Sequence, residues 1–246
     1  ELNGVTPNYF GEQRFGSVRK NTHLVGREIL VGNFKGAVLN YLTFTNNEEN
    51  EDAVIARKEL ASDLDYSKAL KDFPRHLKYE KIILNHLAKN PNDFVNSLRK
   101  LPRGLLLMFV HAYQSYIFNV LLSKRISTGN LKPEEGEYTC ALNDYGFPDL
   151  EKKTKKGFLV GKLIGYESSL NEVEKELFEK EAIDKEMFKI KSLPEISSKG
   201  SFRTLLTPLK DFNYKVDEEL ILSFSLQAGS YATVVLREFI DLKTSS

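Results

Sequence analysis

The sequence predicts an α/β protein with a helical middle, and three observations carry that prediction. Between Asp52 and Lys100, apolar residues such as Ile83 and Leu87 recur at the three-to-four spacing of one-faced helices. Near the end of the chain, Leu222, Phe224 and Leu226 alternate with Ser223, Ser225 and Gln227, the period of a strand. With 41% apolar and 28% charged residues over 246 positions, the composition suits a soluble globular chain able to bury a core, as one large domain or two smaller ones.

Taken in order, the first distinctive stretch is Pro7-Asn-Tyr-Phe-Gly-Glu-Gln-Arg-Phe-Gly16. Its glycines free the backbone, its aromatics suit stacking, and Asn8, Gln13 and Arg14 suit the reading of polar edges. It is either a recognition loop for a planar ligand or a surface turn whose aromatics fold back into the core. Ser17 to Thr22 brings Arg19 and Lys20, either phosphate contacts or solvated charges. Leu24 to Phe34, interrupted by Gly26 and Gly32, reads as a short strand or an irregular lead into a helix over Lys35 to Leu42. The polar, acidic run from Asn46 to Asp52 is a surface connection or a domain boundary. Helices are expected over Asp52 to Ala61, Tyr66 to Asp72, Leu77 to Lys89 and Pro91 to Lys100. Asn90 is the expected N-cap of the last, with Pro91 in its first turn.

The next expected helix, Arg103 to Ile126, is apolar on nearly every face, but His111, Gln114, Ser115 and Asn119 fall on one side. Hydrocarbon would not accept that many polar side chains, so the segment reads as a buried helix of a soluble protein. Each buried polar group left unpaired costs about 1–3 kcal/mol. The stripe therefore either ties the helix to neighbouring backbone or braces an active-site loop.

Ser127 to Pro133 is a turn-rich exit, and Tyr138 to Pro148 reads as irregular. The basic cluster Glu151-Lys-Lys-Thr-Lys-Lys156 is either a phosphate-binding patch or the solvated tip of a hairpin leading into a strand at Phe158 to Ile164. Asn171 and Glu174 form a capping-box pair at the start of a charged helix ending at Glu181. Ser197 to Arg203 is a small-residue, basic stretch that lets backbone approach a phosphate. The strand Leu220 to Gln227 turns through Ala228-Gly-Ser230 into a helix over Tyr231 to Leu242, with Ser230 as N-cap.

Several functional classes are excluded or unsupported. A net charge of +1 provides no global field for a polyanion, so nucleic-acid binding has to rest on local basic patches. The single cysteine, Cys140, rules out an internal disulfide, and the four histidines lack metal-ligand spacing. Neither a P-loop nor a dinucleotide fingerprint occurs, and no signal peptide is visible.

The stretch Pro7 to Gly16 resembles the signature loop of the TruD family of tRNA pseudouridine synthases. Three further stretches support the likeness in the family's order: Met108 to Asn119, Ser197-Ser-Lys-Gly200, and Phe224 to Phe239. The helical inserts most resemble the archaeal branch. The resemblance implies a mixed, mainly antiparallel catalytic sheet with helices, carrying an inserted, largely helical α/β module. Residues 1–35 and 200–246 would form the catalytic part and residues 36–199 the insertion, with the helix at 103–126 at the junction.

The implied activity is isomerisation of a uridine in tRNA to pseudouridine, with tRNA as partner and with no metal, membrane or small-molecule cofactor, in the cytoplasm. Phe10 matches the aromatic that stacks on the target uracil, and Asn8 the asparagine that helps position base and catalytic carboxylate. Glu12, Gln13 and Arg14 match as loop-fixing or RNA-proximal residues. Lys199, Arg203, Arg19 and Lys20 are the expected phosphate contacts. The family's catalytic aspartate belongs to a Gly-x-Lys-Asp motif upstream of the loop, and no such motif occurs here. Leu209-Lys-Asp211 lacks the glycine and follows the loop instead of preceding it. The expectation is a C-terminal portion that holds the stacking loop but no catalytic residue, is inactive by itself, and needs an N-terminal segment of the same protein. The alternative is a non-catalytic RNA-binding module.

Overall fold

In the computed structural model, which describes residues 4–46 and 49–239, strand β1 (Val5–Pro7) runs into the aromatic loop and a short 3-10 turn at Glu12–Phe15. There follow helices α1 (Thr22–Leu30), α2 (Phe34–Thr43), α3 (Glu51–Asp63), α4 (Tyr66–Asp72), α5 (Lys78–Leu87), α6 (Phe94–Arg99) and α7 (Arg103–Thr128). Strands β2 (Tyr138–Leu142), β3 (Pro148–Thr154) and β4 (Phe158–Ile164) precede α8 (Glu172–Lys180). Then β5 (Gly200–Thr204), β6 (Leu206–Pro208), β7 (Lys210–Val216) and β8 (Leu220–Ser225) lead to α9 (Ala232–Phe239). All described strand pairs are antiparallel: a four-stranded sheet in the order β3-β2-β4-β5, and the pairs β1–β6 and β7–β8.

Helix α7 connects the two hydrophobic cores. Its 26 residues span about 39 Å. Leu106, Phe109, Val110, Tyr113 and Ile117 join the main core with the other helices of the N-terminal half. Immediately after Ile117, Phe118 and then Leu122 enter a second, smaller cluster with Phe10, Leu159 and Leu205. The helix is long and apolar enough to cross a membrane by length and composition, but these contacts bury it within the protein.

Three expectations need correction, and one strand lies where none is expected. Leu24 to Phe34 is not a strand: α1 begins at Thr22, and Val25, Gly26, Ile29 and Leu30 form its buried face at helical spacing. Gly26 is present for packing, since a Cβ there would come within 2.0 Å of the Phe109 carbonyl oxygen, so α1 meets α7 backbone to backbone. Helix α6 starts later than Asn90-Pro91 implies. Asp93 takes the N-cap position, accepting from the Asn96 amide, and also binds His86 Nε2 at 2.9 Å. The supposedly irregular stretch from Tyr138 to Pro148 contains β2 and the start of β3, and the lysines that follow lie along the exposed end of β3 and the hairpin tip. Strand β7 was not anticipated, although Phe212, Tyr214 and Val216 alternate with polar residues along it. The expected end of the last helix at Leu242 lies outside the described residues.

The capping box at the start of α8 forms as expected, whereas β5 lies in the stretch read as a basic approach to phosphate. Asn171 caps α8, accepting from the Glu174 amide while Glu174 accepts from the Asn171 amide. Strand β5 pairs with β4 from Ile164↔Gly200 to Val160↔Thr204, carrying the chain from the four-stranded sheet directly into the second core. Leu205 and β6 follow, and β6 pairs with β1 at the mouth of the aromatic loop.

Candidate active site around Phe10

The loop is fixed at its first residue. Asn8 is buried, and every polar group it carries is engaged. Its Nδ2 donates to the carbonyl and hydroxyl oxygens of Thr204 at 3.1 and 3.0 Å, and its amide to the Leu205 carbonyl at 2.8 Å. Its Oδ1 accepts from Arg203 Nη2 at 2.7 Å and from the Ser230 hydroxyl at 2.9 Å. Arg203 adds three bonds, from Nε to the Asn8 carbonyl at 2.8 Å, Nη1 to the Gly229 carbonyl at 3.0 Å and Nη2 to the Tyr9 carbonyl at 3.5 Å. Asn8 and Arg203 thus join the loop, β5 and the turn before α9. Ser230, expected as a helix N-cap, directs its hydroxyl to Asn8.

Phe10 is held from three sides. Asn119 on α7 accepts from the Phe10 amide at 2.9 Å and donates to its carbonyl at 2.9 Å, pairing with that residue much as a neighbouring strand would. The Arg203 guanidinium lies over the ring at 4.1 Å from its centroid, while Phe118 and Tyr231 meet it edge-on at 5.7 and 6.2 Å. Arg14 stands at 5.5 Å. Phe10 is only 9% exposed, so its ring is open to a planar ligand only where a neighbouring side chain gives way. Arg203, tied by four hydrogen bonds, is poorly suited to move. Gly11 follows because the Tyr231 ring occupies the space beside it, and a Cβ would sit 2.7 Å from Tyr231 Cδ1.

The polar stripe on α7 ties the helix to the sheet and also holds the aromatic loop. Gln114 ties the helix to the sheet, donating to the Ile164 carbonyl at 2.8 Å and the Ser198 hydroxyl at 2.9 Å. Ser115 and Asn119 brace the loop, Ser115 by accepting from Arg14 Nε at 3.0 Å. Burial and the nearby Arg14 charge hold His111 below the usual imidazole range.

Beyond Phe10, the loop is fastened to α9. Glu12 pairs with Lys20 at 2.9 Å and with Arg237, and these two contacts hold its carboxyl below its ordinary pKa. Gln13 Oε1 accepts from the Thr233 hydroxyl at 3.2 Å. Burial lowers Arg203 to about 10, which leaves it charged at neutral pH.

The expected phosphate contacts do not gather here as a group. Arg19 turns inward, where it binds the Tyr41 carbonyl at 2.6 Å and shares Glu49 and Glu80 with the fully buried Arg57. It is a partly buried member of an ion-pair network with Arg57, Glu49 and Glu80. Lys20 is paired with Glu12, and Lys199 pairs on the surface with Glu167 at 3.0 Å. Arg203 lies beside Phe10, but its donors are taken by the Asn8 and Tyr9 carbonyls, the Asn8 side chain and the Gly229 carbonyl. Ser197 and Ser198 form internal hydrogen bonds with Ile190 and Gln114. Thr204 and Tyr231 were not singled out from sequence. The signal for Tyr231 lay in the turn-to-helix stretch Ala228 to Tyr231, while nothing local marks Thr204.

A cavity of about 310 Å³ shares Phe118, Leu122 and Leu205 with the second core, beneath the ion pairs Arg125–Glu137 and Lys162–Glu174. None of its lining residues belongs to the loop.

Comparison with known proteins is consistent with this arrangement. A family model described as tRNA pseudouridine synthase D (TruD) matches residues 1–239. A protein of Methanosarcina barkeri named as a probable tRNA pseudouridine synthase D is 39% identical over 98% of this chain and 61% of its own length. One of Methanopyrus kandleri with the same name is 39% identical over 98% of this chain and 58% of its own. A crystal structure described as a tRNA pseudouridine synthase D from Methanosarcina mazei superposes with a TM-score of 0.87 at 38% identity, covering 98% of this chain and 62% of that one. The chain therefore spans about 61% of the length of the first of these relatives.

Proposed function

The chain belongs to the TruD family of tRNA pseudouridine synthases, and from that membership we propose that it takes part in converting a uridine of tRNA to pseudouridine. The reaction is an isomerisation. The bond from uracil N1 to the ribose breaks, the base turns, and C5 forms the new bond while its proton is given up and N1 regains one. The target nucleotide must first leave its stack, at a cost of a few kcal/mol, and be held by an aromatic surface. Phe10 is that surface in this reading, Asn8 positions it, and Glu12 and Gln13 fix the loop.

The observation that carries the proposal is the double hydrogen bond from Asn119 to the Phe10 backbone, together with the Arg203 stack on its ring. A loop held this way enters the reaction already ordered, as positional catalysis requires. Residues 1–35 and 200–246 are assigned to the catalytic part and residues 36–199 to the inserted module, with α7 between them. No metal or small-molecule cofactor is assigned, and the setting is cytoplasmic.

The carboxylate that the chemistry needs is assigned outside these 246 residues, because the Gly-x-Lys-Asp pattern of the family does not occur among them. Pseudouridine mapping of tRNA tests the assignment. Residues 1–246 alone are expected to give no product, and joining a segment carrying that motif ahead of Glu1 is expected to restore it. Abundant product from the chain alone would refute the division of the site. Binding of tRNA without product in either form would favour a non-catalytic RNA-binding module.

A further inference from the structure

Six arginines among the described residues are buried or partly buried, and their partners separate them into two groups. Arg19, Arg27, Arg57 and Arg125 each contact at least one carboxylate, from Glu49, Glu80, Glu28 or Glu137. Arg14 and Arg203, the two beside Phe10, contact none among the described residues. Taking a guanidinium out of water without a counter-charge is costly, and proteins rarely leave such a charge uncompensated.

The two differ in the donors they have left. Arg203 is a clamp, with Nε, Nη1 and Nη2 all bonded to loop and turn oxygens. Arg14 makes one hydrogen bond, from Nε to Ser115, and neither of its Nη atoms has an acceptor among the described residues. Both guanidiniums lie within 5.5 Å of the Phe10 centroid, so the ring is flanked by two positive charges with open donors on the Arg14 side.

We infer that Arg14 receives a phosphodiester of the RNA, that of the nucleotide whose base is extruded toward Phe10. A base stacked on that ring keeps its own phosphate within one sugar's reach, and the planar fork of a guanidinium matches two phosphate oxygens. This moves phosphate recognition from the surface lysines and the inward-turned Arg19 to a residue of the signature loop itself. The inference rests on the functional reading above. The neighbouring Arg203 charge adds to the field that an incoming phosphate meets.

The test is tRNA binding by the 246-residue chain over a series of salt concentrations, for the unchanged protein, Arg14→Gln, Arg14→Lys and Ser115→Ala. Each phosphate contact contributes close to one unit to the slope of log affinity against log salt. Arg14→Gln is expected to weaken binding severalfold at low salt and to reduce the slope by about one, while Arg14→Lys keeps the slope. Ser115→Ala removes the anchor and leaves the charge, so it should retain the slope; if it matched Arg14→Gln, the role of Arg14 would be structural. An unchanged slope in Arg14→Gln, with normal binding by the parent chain, would overturn the inference and leave the functional reading intact. A shifted pH dependence of turnover in the joined enzyme, with unchanged tRNA binding, would identify the partner as a carboxylate instead. Failure of the parent chain to bind tRNA would overturn the functional reading and this inference together.

Discussion

Replacing Asn119 with alanine isolates what the helix does for the loop. The side chain makes two hydrogen bonds, both at 2.9 Å and both to the backbone of Phe10. Each is worth about 0.5–1.5 kcal/mol net, and a backbone group left unpaired in a partly buried place costs about 1–3 kcal/mol. Water entering the vacated space recovers part of this, so a loss near 2 kcal/mol is the working figure. The loss falls on the loop, because the α7 positions that build the main core, such as Phe109 and Tyr113, are untouched. Amide hydrogen exchange reads it directly, since a local opening made easier by about 2 kcal/mol speeds exchange roughly 30-fold. The Phe10 amide should accelerate by that order while amides in the middle of α7 keep their protection. Unchanged exchange at Phe10, or an equal acceleration throughout α7, would refute the claim that Asn119 acts as a local clamp.

Two further outcomes follow from packing and protonation. Gly26→Ala places a methyl where the Phe109 carbonyl oxygen stands 2.0 Å away, so α1 and α7 must separate; a loss of about 1–3 kcal/mol in urea unfolding is expected, and an unchanged midpoint would contradict the contact. Burial holds His23 and His111 below their ordinary value of 6.5, which means the unfolded chain takes up these protons more readily than the folded one. Their contribution to stability is complete above about 6.5 and is lost as the pH falls from there through the lowered folded values. Thermal midpoints should therefore drop on acidification through this window. The drop should be smaller in His23→Phe, which retains a ring for the stack on Tyr116 and discards a buried Nδ1 that has no partner among the described residues. Equal slopes in the two proteins would exclude His23 as a contributor.

The helical half of the fold was legible because its signals are local. Tyr66 to Asp72 and the Asn171–Glu174 capping box declare themselves within a few residues. Helix α1 is hidden in the sequence because the reason for Gly26 lies on α7, far along the chain, and a glycine whose partner is distant looks like a breaker. Strand β2 has five residues and β3 carries a run of charged residues instead of an apolar alternation, so their pairing is set by tertiary contacts, whereas the alternation in β7 is present in the sequence. At the site, the signature stretch pointed to Phe10 and Asn8, and the polar stripe pointed to Ser115 and Asn119. Neither indicated that Arg203 would face inward to the loop backbone and Lys199 outward to Glu167. That distinction depends on tertiary partners far along the chain, Asn8 for Arg203 and Glu167 for Lys199, and composition carries no trace of it.

The hydrogen bonds around Asn8 also govern when the site can exist. Its partners Arg203, Thr204 and Ser230 are 195, 196 and 222 residues further along the chain. During synthesis, at about 5–20 residues per second, the loop leaves the ribosome some tens of seconds before the residues that close around it. Until then Phe10 and Tyr9 lack the Asn8 anchoring and the Arg203 cation that hold them in the folded protein. The site therefore forms only when synthesis of this region is nearly complete. A nascent chain broken off before residue 203 would have the signature stretch but no means of holding it in place.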